Sequence, residues 1–143
     1  MRTIKLKDNN YWDSTAIMDN KVKLRNKLNG HLLYESAGTN TNFTLNDSKE
    51  NYKYIEILYD SNGVYSSIKI DKLGASNICL VISRVGYWND SYYGIKTETA
   101  RVAISGKNVT FVKGYSNIVR ADDNTNLFSD TTEIKIRKVI GYK

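Results

Sequence analysis

No proline interrupts this chain, and it carries a single cysteine and a single histidine. Without proline, strand boundaries must be read from clusters of Gly, Asn, Asp and Ser, and sheet edges lack one guard against pairing with another chain. One cysteine excludes an internal disulfide; Cys79, inside the apolar run NICLVIS, reads as a small buried thiol in a strand. One His and one Cys leave no ordinary ligand set for a transition metal. His31 stands at the head of HLLYES with no nucleophile and orienting acid beside it, as a triad needs, and reads as a polar residue opening a strand. No run approaches the roughly 18 apolar residues of a membrane-spanning helix. Behind its basic residues MRTIKLKDNNYW has no continuous apolar stretch, so a secretory signal is not expected. Neither GxGxxG nor a P-loop is present to cradle phosphates.

What is present is an ordinary globular composition. The 143 residues suffice for one domain burying about two-thirds of its unfolded surface. Hydrophobic residues make up 41% and charged residues 25%, so the polar character comes from Asn, Ser, Thr and Lys and does not signal disorder. The net charge of +6 is unevenly spread: residues 1–30 hold seven basic against three acidic side chains, and residues 132–143 four against one. Residues 31–131 are close to neutral. A nucleic-acid reader concentrates positive field on a folded face, so nucleic acid is not an expected partner. The terminal excess suits either solubility or docking of the chain ends on an acidic neighbour.

Period-two patterns dominate the middle of the chain. In YKYIEILYD, Ile55, Ile57 and Tyr59 alternate with Tyr54, Glu56 and Leu58; in VYSSIKI, Val64, Ser66, Ile68 and Ile70 share a face. Between them Asp60-Ser61-Asn62-Gly63 supplies turn chemistry, since Asn-Gly adopts positive φ at little cost, and the whole predicts a β-hairpin. NICLVISRVG reads as a strand buried on both faces. ETARVAIS alternates through Ala100, Val102 and Ile104, then Ser105-Gly106-Lys107-Asn108 turns the chain into VTFVKG. In TTEIKIRKVIGYK, Ile134 and Ile136 face opposite Glu133, Lys135 and Arg137, and Val139-Ile140 breaks the alternation as a bulge does. Short strands with polar turns every eight to twelve residues predict a mostly β fold, an antiparallel β-sandwich of jelly-roll-like type over residues 31–143. Residues 1–30 differ and read as an attachment arm. KVKLRNKLNG has Leu24 and Leu28 at helical spacing, Asn20 as N-cap and Gly30 as stop, so a short helix is expected there, while RTIKLK reads equally well as a strand.

A search for catalytic chemistry finds little. Asp122-Asp123 is the one adjacent acid pair, with Asn124 and Asn126 nearby, but the Gly and closing Glu of an EF-hand loop are missing, which favours a solvated turn over a calcium site. No acid sits in a context that marks a raised pKa; a small glycosidase would have to draw on Asp90, Asp122 or Asp123. The expectation is therefore a binding or structural module, not an enzyme, with no catalytic residues, metal or cofactor.

Eleven Tyr and two Trp are many for this length, and they cluster. GYWNDSYYG gathers Tyr87, Trp88, Tyr92 and Tyr93 around Asn89, Asp90 and Ser91. Flat rings beside short hydrogen-bonding groups suit a saccharide, whose C–H face stacks while its hydroxyls bond outward. They suit protein interfaces too, and alternate rings also simply fill cores. The saccharide candidates are Tyr87, Trp88, Asn89, Asp90, Tyr92 and Tyr93, in a recognition loop. Tyr11-Trp12 forms a second cluster, and with Leu24 and Leu28 gives the subunit-contact candidates.

Several segments together resemble a known family. YWDSTAIMDNKVKLRNKL is similar to the N-terminal Trp-Asp-Ser element of tail-fibre and baseplate appendage proteins of Gram-positive phages and of related phage-tail-like bacteriocins. LNDSKENYKYIEILYDSNGVYSSIKI resembles the family's central signature, TETARVAISGKNVTF its Thr-x-Thr strand and Ser-Gly turn, and IKIRKVIGYK its closing strand. The resemblance implies a β-sandwich-like head, threefold assembly with other tail proteins, a place in the virion after assembly in the host cytoplasm, and a role in host attachment, with cell-wall polysaccharide as the partner expected for the aromatic loop 87–93. GYWNDSYYG lies outside the shared pattern. A stand-alone carbohydrate-binding module is the alternative.

Overall fold

The computed structural model describes residues 3–5, 11–13, 30–71, 73–88 and 92–143, with side chains over 30–71, 73–86 and 93–143. Eleven strands are described: β1 (Thr3–Lys5), β2 (Tyr11–Asp13), β3 (His31–Thr39), β4 (Phe43–Thr44), β5 (Tyr54–Ser61), β6 (Val64–Asp71), β7 (Ile78–Trp88), β8 (Tyr92–Ser105), β9 (Asn108–Arg120), β10 (Asn126–Ser129) and β11 (Lys135–Tyr142). All pairings are antiparallel, and the fold is mostly β. The smaller sheet runs β3-β11-β5-β6; the larger runs β10-β9-β8-β7, with β4 also pairing β9. Hairpin-linked runs, β5–β6 in one sheet and β7 to β10 in the other, set much of this topology locally. Among the described residues no helix is long and apolar enough to cross a membrane.

The hairpin expected around Asn62-Gly63 is present, with a correction to its length. Asn62 and Gly63 have φ of 46° and 83°, the doubly positive φ of a type I′ turn, whose twist matches the flanking strands. Asp60 and Ser61, read from sequence as part of the turn, are instead buried at the end of β5. Each has a partner that explains its burial: Arg137 clamps Asp60 through Nε at 2.5 Å and a terminal nitrogen at 3.1 Å, and Ser61 donates to Glu98. The second expected turn is also found, with Gly106 at φ 57°.

Alternation then decides the core. From the smaller sheet come Leu33, Ile55, Ile57, Tyr59, Ile136 and Val139; from the larger come Ile78, Leu80, Ile82, Ala100, Val102, Ile104 and Val109. Each fully buried aliphatic side chain contributes roughly 1.5–3 kcal/mol relative to exposure, and face-to-face packing of the two layers is the sandwich expected from sequence. Ile134 joins this core beside Ile136, and the bulge expected near Val139-Ile140 appears as a register shift against β3. The Tyr59 hydroxyl ties the sheets together, donating to the Val81 carbonyl at 3.1 Å and accepting from its N–H at 3.3 Å. That contact also covers part of the β7 edge, a task proline does not perform here.

One expectation fails. β7 is not buried on both faces: Ile78, Leu80 and Ile82 point inward, whereas Cys79 and Val81 are exposed. Among the described residues the larger sheet has a packing partner on one side only, so the continuous apolar run places alternate residues on the outer face. The thiol is therefore a surface group.

The N-terminal readings fall partly outside the described residues. Leu24, Leu28 and the helix expected between Asn20 and Gly30 lie there, Gly30 itself being described with φ 73°. Within the described backbone, β1 pairs β2 with Ile4 opposite Trp12, so the strand reading of RTIKLK holds over Thr3–Lys5.

Candidate functional site

The larger sheet outgrows its partner. β8 runs for 14 residues against eight in β5, a difference of about 20 Å of strand. The core stops at Ile82 on β7 and Ala100 on β8, and the distal parts of β7, β8 and β9, with β10, form a blade holding no member of it.

Where the smaller sheet ends, charge replaces apolar contact. Glu98 continues the inward phase of Ala100, Val102 and Ile104 and is fully buried. Its carboxylate accepts from the Ser61 hydroxyl and, at 2.9 Å, from the Glu133 N–H. Arg84 lies 3.5 Å away and Lys96 3.6 Å away. Both cations also meet the Glu133 carboxylate, at 3.1 and 2.7 Å, and Asn62 donates to it at 2.7 Å. The Lys96 hydrogen bond above all holds the Glu133 carboxyl below the usual range. Such a cluster is costly to desolvate and is held only because its lone pairs are answered. The linker carrying Glu133 crosses the sheet over Gly114, where a Cβ would collide with Thr132. Ser61, Asn62, Arg84, Lys96 and the two glutamates bind one another, and the cluster acts as a clasp closing the open end of the sandwich.

The outer face of the blade is different. Backbone register aligns Val81, Thr99 and Tyr115 in one row, and Ser83, Thr97, Asn117 and Phe128 in the next. Val85, Ile95 and Val119 form a third row, and Tyr87 pairs Tyr93 in a fourth. No charged residue belongs to these rows; Arg101 and Lys113 form the row on the sandwich side. Thr97, Thr99, Tyr115, Ser116, Asn117 and Phe128 line an open cleft of about 460 Å³. Tyr115 and Phe128 rings lie 5.5 Å apart at 36°, and Phe128 is 65% exposed. The Ser83 and Thr97 hydroxyls share a 3.0 Å hydrogen bond. Lys113 sits at the rim, 4.8 Å over the Tyr115 ring, and its amine is raised above the ordinary lysine range mainly by hydrogen bonding to Tyr115.

The saccharide candidates read from sequence are divided by this arrangement. Tyr87, Trp88, Tyr92 and Tyr93 are not in a loop: they lie on the paired ends of β7 and β8, with Trp88 opposite Tyr92. The strands continue because their ladder hydrogen bonds persist to the end of the blade. Tyr93 is 45% exposed and lines a second hollow with Val85, Ile95 and Val119. Asn89 and Asp90 lie outside the described residues. Asp122 and Asp123 sit exposed in the β9–β10 turn, where Arg120 grips Asp122 at 3.1 and 2.7 Å and Thr125 donates twice to Asp123. Among the described residues no group of three or more His, Cys, Asp or Glu is gathered as a metal ion requires.

Sequence reasoning missed both the clasp and the cleft. For the clasp a signal existed: Glu98 lies in phase with Ala100, Val102 and Ile104, and an acid on an apolar face needs a partner. For the cleft no local signal existed, because its residues come from β8, β9 and β10. No protein-family model matches the chain, and no curated protein matches it.

Proposed function

We propose that this chain is a non-catalytic structural and attachment module of a phage tail tip, baseplate or fibre, or of a related phage-tail-like bacteriocin, that contributes to assembly and contacts a host cell-surface saccharide. The observation that carries the attachment half is the exposed, uncharged outer face of the blade, where aromatic rings stand beside Thr, Ser and Asn side chains on rigid strands. Mostly apolar concavities with a few neutral hydrogen-bonding groups are what small polar ligands occupy. The assembly half rests on the resemblance of LNDSKENYKYIEILYDSNGVYSSIKI and IKIRKVIGYK to tail appendage proteins. In this reading the arm, with Tyr11, Trp12, Leu24 and Leu28, engages neighbouring subunits, a trimer being the expected assembly. Many weak sites on one particle then act together, since linkage makes later contacts intramolecular.

Light scattering combined with a glycan array tests the proposal. A trimer that binds cell-wall saccharide supports it. A monomer that binds glycan strongly by itself favours the alternative, a stand-alone carbohydrate-binding module.

A further inference from the structure

We infer that the cleft lined by Thr97, Thr99, Tyr115, Asn117 and Phe128 is a binding site for an uncharged saccharide, with the Tyr115–Phe128 pair as its stacking platform. This rests on the attachment reading and names both the place and the ligand class.

Charge decides the class. A quarter of the chain is charged, yet the three successive rows from Val81 to Val85, which span β7, β8 and β9, contain no charged residue. Among the described residues no cation lines the cleft; Lys113 stands at its rim, engaged with Tyr115, and Arg101, beside it in the row adjoining the cleft, bonds Asn77. Neutral hydroxyls find Thr97, Thr99 and Asn117, which offer donors and acceptors without the desolvation cost of an ion.

Shape supports the same ligand. Side chains on one sheet face repeat at strand spacing, about 4.8 Å across the sheet, comparable to the width of one pyranose ring. A ring laid against Phe128 would bring its edge hydroxyls to that polar row. Phe128 is 65% exposed, and nothing among the described residues makes a second ring contact with it besides Tyr115. The platform is carried on paired strands, so little ordering is required on binding.

The test uses the full chain and follows its amide resonances during titration with neutral hexose and N-acetylhexosamine oligomers, and separately with poly(glycerol phosphate), at low and high salt. Expected is saturable binding of a neutral oligomer, unchanged by salt, weakened about tenfold or more in Phe128→Ala and several-fold in Asn117→Ala. Retention of the strand resonances establishes that each variant is folded, and Asn117→Asp serves as a second probe should Phe128→Ala lose its fold. Neutral binding that survives these changes but disappears in Trp88→Ala moves the site to the end of the β7–β8 hairpin; the inference fails and the attachment reading stands. Binding of the phosphate polymer alone, abolished by salt, likewise overturns the neutral-saccharide site while leaving attachment intact. Absence of binding to every carbohydrate overturns both.

Discussion

The two sheets present opposite kinds of outer surface. On the smaller sheet, Lys138 pairs with Glu35 at 2.8 Å, Lys69 lies 4.1 Å over the Tyr142 ring, and Tyr142 donates to Glu56 at 2.6 Å. That face answers its own polar groups and is what solvent-facing antiparallel sheets ordinarily carry. On the blade of the larger sheet, Val85, Ile95 and Phe128 are at least half exposed and stand among Thr, Ser and Asn. Arg120 borders the hollow at Val85 and Ile95, while the cleft at Phe128 is lined by uncharged residues; exposed apolar area of this kind is what the proposed attachment surface requires. Both faces belong to strands of the same alternating pattern, so the distinction lies in which side chains occupy the outward phase and not in the backbone.

The comparison can be broken first at the core. Ile57→Ala, on the inward face of β5, should cost about 2–5 kcal/mol in chemical denaturation, because it leaves a cavity between packed layers. Ile95→Thr on the blade should change stability by less than about 0.5 kcal/mol. Equal losses from the two would show that the blade is covered after all.

The clasp comes next. Glu98→Ala should cost about 2 kcal/mol, since Arg84 and Lys96 keep Glu133 but lose the buried carboxylate. Acid should act on the same region. The carboxyls of Asp60, gripped by Arg137, and of Glu133, bonded by Lys96, are both held below the usual range. Their contribution is therefore full above the ordinary carboxylate range and is lost as pH falls below it, through the lowered folded values. Denaturation midpoints followed downward in pH should show that loss, and Glu133→Gln should reduce its size.

The smallest effect belongs to the charged face of the smaller sheet. The Glu56 hydrogen bond, with burial adding to it, pushes the Tyr142 phenol up to about 12 from 10. Its contribution is present below the ordinary phenol value and disappears as pH rises through the raised one. An alkaline absorbance titration should resolve late-ionising tyrosines, Tyr142 together with Tyr52, whose phenol is also raised by burial and the Asp47 hydrogen bond, and Glu56→Gln should make Tyr142 alone ionise earlier.

Much of the sandwich could be read along the chain. Asn62-Gly63 announced its hairpin, and the period-two series Ile55-Ile57-Tyr59, Ala100-Val102-Ile104 and Ile134-Ile136 are all buried as their phase required. Cys79 went the other way because an apolar run cannot reveal whether one or both faces of its strand find a partner. The saccharide candidates were half legible: aromatic enrichment pointed to the far ends of β7 and β8, but Phe128, Tyr115, Asn117, Thr97 and Thr99 carried no mark in their own neighbourhoods.

Alternation and turn chemistry are local, acting between residues one or two positions apart, and they alone determined that this chain makes strands, where several of them turn and which phase of each is apolar. Tertiary structure decided the remainder. The coverage of each sheet, the gathering of Ser61, Arg84, Lys96, Glu98 and Glu133 into one clasp, and the meeting of three strands at one cleft all depend on strand register. Register brings together residues tens of positions apart, a distance over which no sequence period carries information.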